Sequence, residues 1–184
     1  MQEMSVLTEA EDLNAVIDFF RDDPRFSGIF LRGESQGGFV ASYVAAKRPD
    51  DIAGLILEYP AYVLQDDAER RRLPDGSFPE TSRLLGMRIG RRYSEDVTSF
   101  DIYELMAGYA GPVLILHGDW DWLVPMSYSE RAVKAFPNAQ MVVMPGQGHG
   151  FLGTGREEAK KKELAFLDAQ AAAAAEPENQ NKTE

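Results

Sequence analysis

Four short runs of apolar residues divide this chain, and segments with helical periodicity lie between them. The runs are Gly28–Leu31, Leu55–Leu57, Val113–Leu116 and Gln140–Met144. Each run is mainly apolar rather than alternating, which is typical of parallel strands that are covered on both faces. The pattern therefore predicts an α/β fold with a mostly parallel sheet and helices on both of its faces.

The helical segments carry their own signals. Thr8 and Glu11 have the spacing of a capping box, and apolar residues then repeat at helical spacing as far as Phe20. Further helices are predicted after the first strand and at Ser127–Phe136 and Glu157–Ala175. Helices thus separate the strands, as an α/β fold requires.

The 184 residues suit one domain that carries a small insert. Charged residues, Gly and aromatic residues are mixed in the insert, where no strand is evident and short helices are predicted at Thr81–Arg92 and Ile102–Met106. Low apolar content other than Ala predicts a disordered tail. The predicted parts are the first part of the core, a cap, the second part of the core and the tail, at 1–60, 61–110, 111–170 and 171–184.

The composition excludes several classes of function. A net charge of −11 argues against nucleic-acid binding, because phosphate recognition needs a basic patch. The chain has no apolar run of membrane-spanning length and no signal-peptide pattern at its start, so no membrane association and a cytoplasmic location are expected. It has no Cys, no phosphate-binding loop and no nicotinamide fingerprint. We therefore expect neither a metal nor a cofactor.

A Gly-x-Ser-x-Gly pattern at Gly33–Gly37 lies between the first strand and the helix that follows it. Such a turn holds its serine in a strained, exposed position at the end of the strand. We expect glycines because a Cβ at Gly33 or at Gly37 would clash in the sharp turn. Ser35 is the candidate nucleophile, and the N–H of Gln36 is the candidate donor to an oxyanion.

A serine nucleophile needs a general base and an acid that orients the base. Asp119 and Asp121 follow the third strand, as does His117, and His149 follows the fourth strand. Parallel strands end at one edge of a sheet, so these loops should lie near the serine. His149 lies among glycines outside any apolar pattern and is predicted to be the base. His117 ends a buried strand and is predicted to be structural, and either Asp could instead brace its loop.

Three motifs occur in this order, at Gly33–Gly38, His117–Pro125 and Gly148–Phe151, and with them the chain resembles the α/β-hydrolase superfamily over residues 8–168. The layout is most similar to small carboxylesterases of the cinnamoyl or feruloyl type. The group of monoacylglycerol lipases and serine aminopeptidases is also similar. Both groups carry a modest cap in the place of the insert.

The resemblance implies Ser35 as nucleophile, His149 as base and Asp121 as the triad acid, with Asp119 as the second candidate. It implies a serine hydrolase that cleaves a small-molecule carboxylic ester, of the carboxylesterase or lipase type, without metal or cofactor. Peptide-like substrates are compatible with the same mechanism. The residues do not choose among aryl esters, acyl glycerols and peptide-like compounds.

The chain also departs from the superfamily, whose members carry further strands and a His-Gly loop ahead of the helix with which this chain opens. That loop supplies a second oxyanion donor, whose loss costs about 2.7–4 kcal/mol of transition-state stabilisation. The strand near Ile29 would become an unpaired edge that invites self-association. A second hypothesis is therefore a truncated, catalytically impaired fragment that acts as a binding or interaction module.

Overall fold

The computed structural model describes residues 3–175 and alternates helices with strands. The helices are Val6–Phe20 (α1), Gln36–Lys47 (α2), Val63–Glu69 (α3), Arg91–Val97 (α4), Ile102–Met106 (α5), Ser127–Ala135 (α6) and Thr154–Ala175 (α7). The strands are Phe30–Glu34 (β1), Gly54–Glu58 (β2), Thr81–Leu84 (β3), Met87–Gly90 (β4), Val113–Gly118 (β5) and Ala139–Met144 (β6). Four of these strands overlap the four apolar runs of the sequence.

These four strands form one sheet in the order β1-β2-β5-β6, and every neighbouring pair is parallel. Leu31 lies opposite Leu55, which in turn lies opposite Val113 on the far side of β2. The carboxyl ends of all four strands therefore lie at the same edge. The predicted parallel α/β sheet is confirmed.

Helices cover both faces of the sheet. Successive residues of a strand point to opposite faces and therefore pack against different helices. Leu55 and Ile115 face a cluster that includes buried residues of α1, α2 and α6. Their neighbours Ile56 and Leu114 face a second cluster, to which Phe166 of α7 contributes. Burial on both faces explains why the strands are apolar throughout.

The start of α1 differs from the prediction. The capping box is formed by Ser5 and Thr8, rather than by Thr8 and Glu11. The Thr8 N–H donates to the Ser5 hydroxyl at 3.2 Å, and the Ser5 N–H donates to the Thr8 hydroxyl at 2.9 Å. Ser5 also donates to the carboxylate of Asp96 in α4. This contact with the insert holds Ser5 at the cap, so the helix begins at Val6.

The insert contains strands where none was predicted. The predicted helix at Thr81–Arg92 is wrong, since β3 and β4 form an antiparallel hairpin. Its turn holds Leu85 at φ 48° and Gly86 at φ 81°. Glycine adopts such a positive φ without steric cost, and a right-handed helix cannot contain it. Only α4, from Arg91, continues as a helix, whereas α5 coincides with the predicted helix at Ile102–Met106.

The insert packs against the sheet as part of the same core. Tyr93 of α4 and Met106 of α5 are fully buried and belong to the cluster that contains Leu55 and Ile115. The division of the chain at residues 61 and 110 stays a prediction, but this shared core ties the insert firmly to the sheet. The insert can therefore hold side chains at fixed positions near the end of β1.

The last helix ends later than the predicted start of the tail. α7 continues to Ala175, where the predicted helix Glu157–Ala175 also ends, so the prediction of a helix is confirmed for residues 171–175 and the overlapping prediction of a disordered tail is wrong there. Ala has the highest helix propensity, which explains why an Ala-rich segment extends the helix. The rest of the predicted tail, 176–184, lies outside the described residues. None of the helices within residues 3–175 has the length and apolar content needed to cross a membrane.

Candidate active site

Ser35 occupies a sharp turn between β1 and α2. Its backbone has φ 51° and ψ −119°, a conformation that L residues rarely adopt. Two backbone hydrogen bonds hold it there: Ser35 N–H donates to the carbonyl of Glu58 at 3.0 Å, and the N–H of Ala61 donates to the Ser35 carbonyl at 2.9 Å. A strained backbone that neighbours hold in place on both sides is typical of functional positions.

The glycines around Ser35 serve different purposes. A Cβ on Gly33 would overlap the carbonyl oxygen of Gly37, which agrees with the expected clash. The expectation is wrong for Gly37, where an added Cβ would meet nothing within 4 Å. Gly38 is the crowded position, because a Cβ there would lie 2.8 Å from the Cβ of Pro60. The close approach of α2 to the end of β2 imposes this second requirement.

The two candidate acids in the loop after β5 make different hydrogen bonds. Asp121 has a side chain with no exposed surface, and its Oδ1 accepts hydrogen bonds from the N–H groups of Leu123 and Val124, each at 2.9 Å. Asp119 instead accepts a hydrogen bond from the N–H of Gly146 at 2.6 Å. Asp119 therefore braces the loop after β6, and Asp121 presents its second oxygen to that loop.

The loop after β6 carries His149 between these groups. Its Nε2 lies 2.9 Å from Ser35 Oγ, and its Nδ1 lies 2.9 Å from Asp121 Oδ2. The His149 side chain is 18% exposed. The structure thus brings the predicted nucleophile, base and acid into one hydrogen-bonded chain, because all three loops leave parallel strands at the same edge.

The second histidine, His117, lies beneath the hydrogen-bonded series of Ser35, His149 and Asp121. His117 is fully buried at the end of β5, where Nδ1 lies 2.7 Å from Ser129 Oγ and Nε2 lies 2.9 Å from the Val124 carbonyl. Burial lowers the pKa of His117, although the Val124 carbonyl and Asp121 oppose that effect. A neutral, buried ring with both nitrogens hydrogen-bonded indicates a structural role for His117, in agreement with the prediction.

Tyr59 supports His149 from the side, a contact that the sequence did not reveal. Its ring centre lies 4.7 Å from that of His149, and its hydroxyl donates to Glu34 at 2.8 Å. Burial alone would raise the pKa of Glu34, but hydrogen bonds from Tyr59, Arg32 and Arg156 outweigh it and lower the pKa to about 2. Glu34 therefore stays ionised and fixes the Tyr59 hydroxyl.

The same cluster holds a buried acid, Glu58, with a side chain that has no exposed surface. Its two oxygens lie 3.0 Å from Arg32 and 2.7 Å from Arg156. Burial and the neighbouring Glu163 raise the pKa of Glu58 to about 7, against the attraction of the two guanidinium groups. The cluster lies behind Tyr59, on the face of the sheet that α7 covers.

Gln36 is fixed by two partners that are distant in sequence. Its side-chain amide donates to both carboxylate oxygens of Glu9 at 2.8 Å, and its side-chain oxygen accepts a hydrogen bond from Tyr93. The backbone N–H of Gln36 belongs to the first turn of α2, where N–H groups have no partner within the helix. No periodicity in the sequence pointed to Glu9 or Tyr93 as neighbours of the site.

A mainly apolar cavity of about 330 Å³ opens beside Ser35. Residues of α1, α3, the β3–β4 hairpin and the loop after β5 line it. They are Met4, Glu9, Ser35, Gln36, Ala61, Val63, Leu64, Asp67, Leu84, Leu85, Met87, Leu123 and Val124. Within residues 3–175, no group of three or more His, Asp or Glu side chains is placed to hold a metal ion.

The chain matches a known protein family over most of its length. The model of the prolyl oligopeptidase family, also named peptidase S9, matches residues 7–174. The chain belongs to this family. The family lies within the α/β-hydrolase superfamily, so the resemblance seen in the three motifs is confirmed.

Individual relatives agree with this assignment. The carbamate hydrolase RutD of Caulobacter sp. (strain K31) is 40% identical over 133 residues, which cover 72% of this chain and 46% of the relative. The bifunctional esterase/perhydrolase DCH of Acinetobacter calcoaceticus is 25% identical, with 86% of this chain and 72% of the relative covered. The chain thus spans slightly less than half of the first relative.

A solved structure, Est1E from Butyrivibrio proteoclasticus, superposes with a TM-score of 0.82 at 25% identity. The superposition covers 92% of this chain and 72% of Est1E. Est1E has also been solved with ferulic acid bound.

Proposed function

We propose that this chain is a serine hydrolase that cleaves small-molecule carboxylic esters through Ser35, His149 and Asp121. The observation that supports the proposal most strongly is the chain of two hydrogen bonds, each 2.9 Å long, from Ser35 Oγ through His149 to Asp121. The similarity to the esterase/perhydrolase DCH favours an ester over a peptide as the substrate.

In the proposed reaction, Ser35 Oγ attacks the ester carbonyl carbon while His149 Nε2 accepts the hydroxyl proton. The Asp121 carboxylate accepts the Nδ1 proton and stabilises the imidazolium that forms. The N–H of Gln36 donates to the developing oxyanion. His149 then protonates the departing alcohol, and a water molecule, deprotonated by His149, releases the acid from Ser35.

Covalent labelling tests this proposal directly. A fluorophosphonate should modify wild-type protein at Ser35, as detected by intact mass and peptide mapping, and 4-nitrophenyl butyrate should be hydrolysed. The Ser35→Ala variant should show neither reaction. Folded wild-type protein that labels no faster than Ser35→Ala would contradict the proposal.

A second candidate function is a catalytically impaired binding or interaction module, in which the backbone N–H of Gln36 is the one oxyanion donor. With Gln36 as a single oxyanion donor, turnover would be about 10²–10³-fold slower than with two donors. The rates of labelling and of ester hydrolysis separate the two candidates, because the impaired module would react at Ser35 about 10²–10³-fold more slowly than an enzyme with two oxyanion donors. A kcat/KM that is ordinary for an esterase would exclude it.

Self-association through β1 is also proposed. In the described sheet β1 pairs only with β2. Phe26, shortly before β1, is 51% exposed and packs against Phe20, whose ring also contacts the 77% exposed Phe19. A second copy is the partner that suits this edge: antiparallel pairing centred on Gly33 would place Arg32 and Glu34 of the two copies opposite each other. Apolar patches beside an open edge favour such pairing.

Analytical ultracentrifugation tests the association. Wild-type protein should form dimers as its concentration rises, and Phe19→Asp should shift the equilibrium toward monomer. Leu73→Asp, at a 41% exposed site in the insert, is the matched control and should associate like the wild type. A wild-type protein that stays monomeric at high concentration would exclude this interface.

A further inference from the structure

The cavity beside Ser35 has one sign of charge. Nine of its lining residues are apolar, and the hairpin turn with Leu84, Leu85 and Met87 forms one wall. The two charged side chains that line it, Glu9 and Asp67, are both acidic. An apolar wall excludes water and so strengthens the effect of any charge that remains inside it.

Glu9 forms no ion pair with a basic side chain in the described part of the chain, and the charge of Arg71 acts on Tyr93 rather than through a contact with Glu9. Both of its oxygens accept hydrogen bonds from the side-chain amide of Gln36, which is uncharged. These bonds orient the carboxylate and leave its charge in place. Glu9 therefore contributes a fixed negative charge close to the residue that follows the nucleophile.

The second acid contributes less. Asp67 forms an ion pair with Arg70 at 2.5 Å, and the Arg70 side chain is 67% exposed to solvent. Arg71, the next residue, extends toward Ser94 Oγ at 3.4 Å and does not line the cavity. The cavity thus combines one partly compensated acid with one uncompensated acid, and Glu9 is the residue that sets its charge.

We infer that Glu9 determines substrate specificity through its negative charge. The cavity then accepts esters with uncharged apolar groups and rejects esters that also carry an ionised carboxylate. This inference rests on the proposed function, because it takes the cavity beside Ser35 as the place where the ester binds. It adds a charge rule that the catalytic residues alone do not supply.

Electrostatics give the expected size of the effect. Two like charges about 8 Å apart, at an effective dielectric constant of about 20, repel by an energy that corresponds to roughly thirtyfold in affinity. Physiological salt screens part of this repulsion. We therefore expect an anionic ester to bind about tenfold more weakly than a neutral ester of the same length.

Binding measured without turnover tests the inference. In a Ser35→Ala background, methyl hexanoate is the neutral probe, and monomethyl adipate carries a carboxylate at the far end of the same chain. Labelled methyl groups of Met4 and Met87, which both line the cavity, report binding by NMR. The neutral ester should bind about tenfold more tightly, and Glu9→Gln should reduce this ratio to about twofold or less.

Three comparisons separate the effect of the Glu9 charge from other effects of the substitution. Glu9→Gln removes the charge and keeps one oxygen as an acceptor for the Gln36 amide, while an NH2 group replaces the second oxygen. Glu11→Gln makes the same charge change at an exposed site on α1 and should leave the ratio at about tenfold. Methyl 6-aminohexanoate provides the opposite sign, since Glu9→Gln should weaken its binding.

Three results would overturn the inference: equal affinity for the two esters, a ratio that Glu9→Gln leaves unchanged, or methyl signals of Met4 and Met87 that respond to neither ester. None of these results depends on catalysis. A protein that binds by the charge rule and fails to label at Ser35 would contradict the proposed function alone, so the two failures are distinguishable.

Discussion

Replacing Asp121 by Asn tests how the proposed triad works, because the structure fixes which atom of the new amide would face His149. The Oδ1 atom of Asp121 accepts two backbone N–H groups, from Leu123 and Val124. An Asn must keep its oxygen there, so its NH2 group takes the place of Oδ2, 2.9 Å from His149 Nδ1. That group donates to Nδ1 and drives the ring proton onto Nε2.

The consequence is a base in the wrong tautomer. In this variant His149 Nε2 would carry a proton and donate to Ser35, so it could not accept the hydroxyl proton. The corresponding substitution in the serine protease triad lowers kcat about 10⁴-fold. We expect a similar loss here, equivalent to about 5.5 kcal/mol of transition-state stabilisation. The rate constant of fluorophosphonate labelling measures it.

The matched control is Asp119→Asn, which changes the other acid of the same loop. Asp119 bonds only the N–H of Gly146 among the described contacts, and an Asn oxygen can accept that bond. Its labelling rate should stay within tenfold of the wild type. The reasoning would be refuted if Asp121→Asn, folded by circular dichroism, labelled within tenfold of the wild type, or if Asp119→Asn lost more activity than Asp121→Asn.

Three further predictions concern stability, each measured by urea unfolding. Ser129→Ala leaves Nδ1 of the buried His117 unpaired and should lower the free energy of unfolding by about 1–3 kcal/mol, whereas an unchanged midpoint would mean that this nitrogen finds another partner. Gly38→Ala should destabilise by about 1–3 kcal/mol because the new Cβ collides with the neighbouring proline, and Gly37→Ala, in open space, should be neutral or stabilising. Burial raises the pKa of Glu58 from 4.5 to about 7, so its contribution to stability is fully present below pH 4.5 and is lost as pH rises through 7. Glu58→Gln should therefore reduce the loss of stability between pH 5 and pH 8, and an identical loss in both proteins would count against the raised pKa.

Much of the fold could be predicted because its signals are local. Apolar runs and helical spacing indicate strands and helices from neighbouring residues alone, and parallel strands then bring their carboxyl ends to one edge. That rule placed the loops with Ser35, Asp121 and His149 together, and the structure brings the three side chains into contact. The hairpin was missed because its four-residue strands are too short for a period to stand out.

The choice between Asp119 and Asp121 depends on tertiary structure. Both residues occupy the same loop and both accept backbone hydrogen bonds, so their local patterns are alike. Only the loop after β6 decides which of them meets His149. The difference arises from a contact between loops that are about thirty residues apart, which no local pattern encodes.

The sequence by itself determined the class of fold, the four strands of the parallel sheet and the loops that converge at one edge of that sheet. Tertiary structure alone decided the surroundings of that edge, where Glu9 and Tyr93 reach Gln36 across 27 and 57 positions of the chain. Helix and strand formation depends on hydrogen bonds and periodicity within a segment. The partners of a polar side chain depend on how distant segments pack, and this packing sets the charge of the cavity beside Ser35.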